Sequence, residues 1–236
     1  MSLVLEIVED EKDFDQILPL LYIGFSNPPS PFRKWFMPIH TTLEAAIEDA
    51  KCRSIKKWRE NKTITWIKVT DIQAGKIIGA ASWDIREEML EEPQMPANAY
   101  WHREGSEEKA FAEKLLTELR TFTMERMSRP HVELQQLFVH PNHRKMGAGR
   151  LLVNWGKQIA DELGLESCIE AVPFAVPAYE RFGYGNVEEL NPNLDIPNPS
   201  AKWKKYAADD SRVFLMWRPA GRDYRAGEDR APWLTA

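Results

Sequence analysis

An apolar stretch, Leu137, Phe138 and Val139, stops at His140-Pro141. A basic turn with two closely spaced glycines follows, made of Arg144, Lys145, Met146, Gly147, Ala148, Gly149 and Arg150. Glycine accepts positive φ and lets another group approach the backbone, and free N–H groups at the start of a helix hold anions. The spacing Arg144-x-x-Gly147-x-Gly149 is therefore suited to closing backbone on a phosphate, with Arg144, Lys145 and Arg150 adding positive charge. It is equally the spacing of an ordinary basic strand–turn–helix connection, since short glycine patterns recur by chance. His140 and His143 flank the turn. No cysteine or carboxylate cluster accompanies them, so they read as solvated turn histidines and no metal is expected. Cys52 and Cys168 lie far apart without a CxxC spacing, in no recognisable nucleophile context, and read as free thiols of a reducing compartment.

The elements that must position this turn can be read from periodicity. Residues 131–139 form a strand, the fourth in order, and 148–163 a helix with Leu152, Trp155, Ile159 and Leu163 at helical spacing, stopped by Gly164. Residues 166–172 form the next strand, and Pro177 opens a short helix through Tyr179 and Phe182. Upstream, residues 3–8 are a strand and 11–25 an amphipathic helix limited by Pro19; 27–38, with four prolines, is irregular. Thr41 and Glu44 have capping-box spacing for a helix to about Arg59, with Leu43, Ala46, Ile47, Ala50, Ser54 and Trp58 as its stripe. Residues 63–72 and 76–85 make a hairpin. Ser106 caps a long helix to about Met127, with Phe111, Leu115, Leu119 and Phe122 inward. The last strands are 184–190 and 212–217. Two segments interrupt the pattern: an acidic insertion, 86–104, and a long polar loop, 191–210. The tail from Pro219 is expected to be loosely held.

Composition fits one domain, expected over residues 1–218 with a 219–236 tail. At 236 residues with 43% hydrophobic content, the chain can bury one sizeable core. The net charge of −5 disfavours non-specific nucleic-acid binding. With no basic, apolar, cleavable leader and no apolar run near the ~20 residues of a membrane helix, a soluble cytoplasmic protein without membrane partners is expected, as a monomer or homodimer.

The 137–150 run resembles the phosphate-binding motif of the GNAT superfamily of acyl-CoA-dependent N-acetyltransferases, in which a hydrophobic strand, often Val-x-Pro, precedes Arg or Gln-x-x-Gly-x-Gly or Ala. Val139, Pro141, Arg144, Gly147 and Gly149 fall in register. Downstream, Tyr179, Gly183 and Tyr184 match that family's Tyr-x-x-x-Gly-Phe/Tyr element. The resemblance spans residues 3–217, with its specific part at 133–184. Many relatives carry Asn seven residues before the tyrosine; Val172 stands there in this chain. The resemblance implies a mixed α+β (α/β) fold: a largely antiparallel central sheet flanked by helices, whose fourth and fifth strands run parallel and splay apart around the cofactor's pantetheine arm.

The resemblance also implies the chemistry: an amine attacks the thioester of acetyl-CoA directly, with no covalent enzyme intermediate. Leu137, Phe138 and Val139 would offer backbone to the pantetheine, and Arg144, Lys145, Met146, Gly147, Ala148, Gly149 and Arg150 would hold phosphate. Tyr179 matches the family's proton donor to the departing sulfur, and Glu133 the position where several relatives place a carboxylate base; Gln135 is placed to orient a water. A helix tyrosine packed in the core and a glutamate at an exposed strand end are the plainer alternatives. The acceptor is expected to be a small primary amine. Tyr100 and Trp101 in one long loop, and Trp203 and Tyr206 in the other, would enclose it. Glu87, Glu88, Glu91 and Glu92 would favour a cation. A protein or peptide N-acetyltransferase and a non-catalytic acyl-CoA-binding module remain alternatives.

Overall fold

The computed structural model describes residues 2–89 and 97–234. Its elements, in chain order, are β1 (Leu3–Ile7), α1 (Phe14–Gly24), α2 (Arg33–Phe36), α3 (Leu43–Glu60), β2 (Ile64–Asp71), β3 (Lys76–Arg86), α4 (Glu107–Arg126), β4 (His131–Val139), α5 (Ala148–Leu163), β5 (Glu166–Ala171), α6 (Val176–Glu180), β6 (Gly185–Leu190), α7 (Ala201–Ala207) and β7 (Val213–Arg218). The seven strands form one sheet in the order β1-β2-β3-β4-β5-β7-β6. Its neighbours are antiparallel except β4 and β5. This is the mixed, mostly antiparallel sheet that the motifs imply.

Alternation along the strands assigns the two faces. Trp83, Val132, Leu134, Ile169 and Met216 point towards α5 and pack with Leu152, Val153 and Ala160. The approach is close: a Cβ on Gly156 would lie 2.3 Å from the Trp83 ring, so only glycine lets α5 settle there. On the opposite face, Ala80 and Phe138 pack under α1, with Phe14, Ile17 and Leu18. Cys168, Leu215 and Trp217 pack under α4, with Phe111 and Leu115. Two groups of helices thus cover one face, α1 with α3 and then α4, and the seam between them lies over β4 and β5.

Several sequence expectations are corrected. The cap of α3 is Thr42, whose hydroxyl accepts from Ala45 N at 3.2 Å, and not Thr41; Leu43, expected in the stripe, is exposed, as is Leu163 at the end of α5. Residues 27–38 include the short α2, which inserts Trp35 into the core. The 191–210 loop folds in part as α7, capped by Ser200 and anchored by the buried Trp203. The tail is not loose: Ala231 is fully buried, Tyr224 N donates to Gly183 O at 2.9 Å, and Trp233 Nε1 donates to Glu188 Oε2 at 3.1 Å. Its aromatic residues supply apolar area that composition alone does not locate. Residues 90–96 of the acidic insertion, with Glu91 and Glu92, lie outside the described residues.

Candidate active site

The strand pair that carries the motif parts where the sequence leads it to. β4 and β5 are hydrogen-bonded in parallel only through 131–134 and 166–169. Beyond that point, 135–139 has no partner on the β5 side. A bulge contributes: Ser82 opposes Gln136 while Trp83 opposes Leu134, leaving Gln135 as the extra residue on β4, and a bulge bends the strand that holds it. A passage therefore runs between the two faces of the sheet.

At the end of β4 the glycine turn closes onto α5. Gly147 caps the helix with φ +100°, and Lys145 also has positive φ, +63°. Among the described residues, the backbone N–H groups of 145–150 make no hydrogen bond; the first helical bond is Leu151 N to Gly147 O at 3.1 Å. Consecutive free donors at the positive end of a helix form an anion cradle. Gly149 lines it with room to spare, since a Cβ there would meet only Val139 Cγ2, at 4.0 Å. The residues thus suit a diphosphate. The guanidinium of Arg144 is already engaged: Nε donates to Val139 O at 3.3 Å and Nη2 to Gly24 O at 3.0 Å, tying the turn to β4 and α1. Lys145, Met146 and Arg150 are exposed beside it. Leu137 is half-buried, while Phe138 and Val139 are buried, so this strand end offers its edge backbone.

On the face under α1, α3 and α4 lies a cavity of about 740 Å³, within the usual small-molecule range of roughly 300–1,000 Å³. Its floor carries three carboxylates, Asp84 from β3, Glu133 from β4 and Glu170 from β5. They share a face because Glu133 is the cross-strand partner of Asp84 and of Cys168, two residues before Glu170. Burial pushes the Glu133 carboxyl above its ordinary range, and Asp84 adds to the effect. Glu170 is pushed up to about 7, by burial first and then by the neighbouring Glu133; Thr123 Oγ1 donates to it at 2.5 Å. Asp84 is closed off by Thr63 and by an ion pair with Arg86 at 2.7 Å.

Tyr179 packs against the α5-side core, across the sheet from Glu133. Among the described residues its hydroxyl has no hydrogen-bond partner. Burial raises its pKa, which keeps it protonated and able to donate.

The structure thus places Glu133 and Gln135 on the cavity, while residues 137–139, Tyr179 and the glycine turn are not among its lining residues. It does not place Trp101, Trp203 or Tyr206 there, and Tyr100 lies on an adjoining concavity with Arg53, Lys57, Asn61 and Arg86. Trp101 Nε1 is spent on Trp35 O at 2.7 Å, Trp203 Nε1 on Leu194 O at 2.8 Å and the Tyr206 hydroxyl on Glu108 at 2.7 Å. The cavity's aromatic wall comes instead from Phe25, Phe32 and Phe36. Glu87 and Glu88 do not line it either. Sequence reading missed Glu170, the second acid of β5 after Glu166, and Arg33, Lys57 and Arg120, whose helical positions resemble ordinary solvated faces. Among the described residues, no group of His, Cys, Asp and Glu is placed to hold a metal ion, and no helix is long and apolar enough to cross a membrane.

A parallel pair opened by a bulge and closed by an anion-binding glycine turn defines an acyl-CoA-type transferase fold. The acetyltransferase (GNAT) family model matches residues 30–184, more than half of the chain, and the protein belongs to that family. Among solved structures, a mosquito arylalkylamine N-acetyltransferase-like protein is 16% identical, with 92% of this chain and 99% of that chain covered and a TM-score of 0.60. An agmatine N-acetyltransferase mutant is 18% identical, with 92% and 99% covered and a TM-score of 0.59. A polyamine N-acetyltransferase of Drosophila melanogaster is 18% identical, with 92% and 98% covered and a TM-score of 0.57. At such identities the likeness is one of fold. A comparison with curated proteins finds no match.

Proposed function

We propose that this protein moves an acetyl group from acetyl-CoA to a primary amine of a small molecule. The observation that carries this reading is the cavity floored by Glu133 and Glu170 and opening at the β4–β5 splay, opposite Tyr179. The agmatine, polyamine and arylalkylamine names of the structural neighbours agree with an amine acceptor. Acetyl-CoA supplies the activated acetyl thioester. The free N–H groups of the turn hold its diphosphate, and the unpaired edge of 135–139 pairs with its amide arm in the manner of an added strand.

The protein's own work is proton transfer. An aliphatic ammonium with a pKa near 10.4 is about one part in 2,500 neutral at pH 7, so the floor must accept a proton. Carboxylates pushed towards neutrality by burial suit this, because a base works best when its pKa lies near the working pH. Glu133 accepts the proton and Glu170 shares its charge, the two titrating as a pair. Tyr179 donates to the leaving sulfur as the C–S bond breaks and the C–N bond forms.

Thiol release with acetyl-CoA and a panel of amines and peptides tests the reading. Glu133→Gln should slow turnover by about 10²- to 10⁴-fold at neutral pH. The loss should shrink as the pH nears the amine's own pKa, where solvent supplies the free base. Protein that is thermally stabilised by acetyl-CoA yet releases no thiol with any amine would be a binding module instead. A strong preference for peptides would move the acceptor to a protein chain.

A further inference from the structure

The charges of the cavity do not balance, and the imbalance has a sign. Two of its cations are satisfied within the chain: Arg86 by Asp84 at 2.7 Å, and Arg53 by Asp49 at 2.9 Å. Three are not. Among the described residues, Arg33 and Arg120 have no carboxylate within 4 Å, and Lys57 Nζ reaches only an amide oxygen, Gln135 Oε1, at 3.2 Å. Against these three stand Glu133 and Glu170, both biased towards their neutral forms. Lys57 and Arg120 approach from opposing helices, α3 and α4; burial disfavours the charged form of Lys57, Glu133 and Asp84 favour it, and Arg120 works against it. A net positive, partly apolar concavity concentrates anions, and a guanidinium is shaped to take a carboxylate through two parallel hydrogen bonds.

Resting on the transferase reading above, we propose that the acceptor is a zwitterion, an amino acid or related aminocarboxylate. Its amine lies at Glu133 and Glu170, and its carboxylate is received by Arg120 with Lys57. This accounts for features that a plain amine leaves unexplained. A polyamine would set a second ammonium among three unpaired cations. An aminocarboxylate instead supplies the anion that Arg120 and Lys57 lack and brings its own cation to the acids, so each end finds its complement. Phe25, Phe32 and Phe36 and the α4 leucines Leu116 and Leu119 leave apolar wall for a side chain between the two ends. Of the described residues of the acidic insertion, which pointed to a simple cation, only Arg86 lines this wall, and none of its described glutamates does.

The test compares matched acceptors: phenylalanine with phenethylamine, 4-aminobutyrate with butylamine, and aminoethyl phosphate with ethylamine. The better aminocarboxylate should exceed its partner amine in kcat/KM by about 10- to 100-fold, the span of a charged hydrogen bond. Arg120→Gln should remove that advantage, costing the aminocarboxylate far more in kcat/KM than its matched amine, and Arg120→Lys should restore part of it. Thermal stabilisation by the amino acid without acetyl-CoA should be lost in Arg120→Gln as well. Arg120 is exposed and unpaired, so the substitution leaves the fold intact. Amines that match their aminocarboxylates, or an Arg120→Gln loss equal for both, would overturn the proposal while leaving the transferase reading standing. Preference for aminoethyl phosphate would keep an anion but exclude the carboxylate. Thiol release with none of these acceptors, in protein that binds acetyl-CoA, would overturn both readings.

Discussion

Replacing Glu170 with Gln should stabilise the protein, and more so as the pH rises. Glu170 sits half-buried on β5, beside Glu133, with its carboxyl pushed up to about 7 from 4.5. The fold therefore binds this proton more tightly than the unfolded chain does. Its contribution to stability is fully present below pH 4.5, falls as the pH climbs towards 7, and is absent above that. At about 1.36 kcal/mol per tenfold change in proton affinity, the whole effect is about 3 kcal/mol. Glu170 faces a cavity that admits water, and screening reduces the effect to about 1–2 kcal/mol. Glutamine is neutral throughout, fills the same volume and can still accept from Thr123, so the variant escapes the loss. At about 2–4 °C per kcal/mol for a domain of this size, Glu170→Gln should melt about 2–8 °C above the unmodified protein at pH 8. Near pH 5 the two should melt within about 2 °C of each other. Differential scanning calorimetry across pH 5–8 reads this directly, and the difference carries Glu170 together with its coupling to Glu133. A Tm difference that does not change with pH, or a variant less stable at pH 8, would show that Glu170 is not held protonated by its surroundings.

Gly149→Ala, set beside Gly149→Glu, separates the turn's role in the fold from its role in binding. The added methyl meets nothing in the chain closer than 4.0 Å and improves helix propensity, so Tm should hold or rise slightly. Because the motif admits alanine at this position, Gly149→Ala should keep acetyl-CoA affinity within a few-fold, whereas Gly149→Glu, which sets an anion in the N–H cradle, should abolish the ligand-induced thermal shift. An undiminished shift in Gly149→Glu would place the phosphates elsewhere. Tyr179→Phe should cut turnover by about 10²-fold with acetyl-CoA affinity nearly unchanged; single-turnover rates equal to the unmodified enzyme would leave the hydroxyl without a chemical part.

What was legible in the sequence is what short-range physics decides. The bounds of β4 and α5 follow from apolar periodicity, and Gly164 ends α5 because a left-handed residue there satisfies its last carbonyls. The phosphate turn is local as well, with donor, glycine and helix start contiguous in the chain. Thr41 and Thr42 show the limit of this, since either hydroxyl suits a cap and the first turn's path selects the second. The acceptor site was not legible, because each of its parts looks ordinary alone. Glu170 reads as the second acid of a short strand that also holds Glu166 and Ser167, and Arg120 and Lys57 as solvated helix positions. They acquire meaning only where α3, α4 and β5 meet, far apart in sequence. The tail's aromatics likewise looked too sparse to hold it, until β6 and the 183–184 turn offered a surface.

That division has a mechanistic consequence. On the proposed function, elements from β4 onward would supply the diphosphate cradle, the unpaired strand edge and the tyrosine, all directed to the part of the reaction that never varies, the acyl donor. Most of the acceptor cavity's wall comes earlier, from α1, α2, α3 and α4, with only its floor lent by the sheet. Glu133 stands at the join: it belongs by position to the strand of the motif and by direction to the cavity. A change of acceptor would therefore require new side chains on α3 and α4, while Glu133, Tyr179 and the turn stayed as they are. Arg120, which has no carboxylate within 4 Å among the described residues, and Lys57, held by Gln135 at 3.2 Å, lie on those two helices, where on the proposed function selectivity would change without disturbing the proton path.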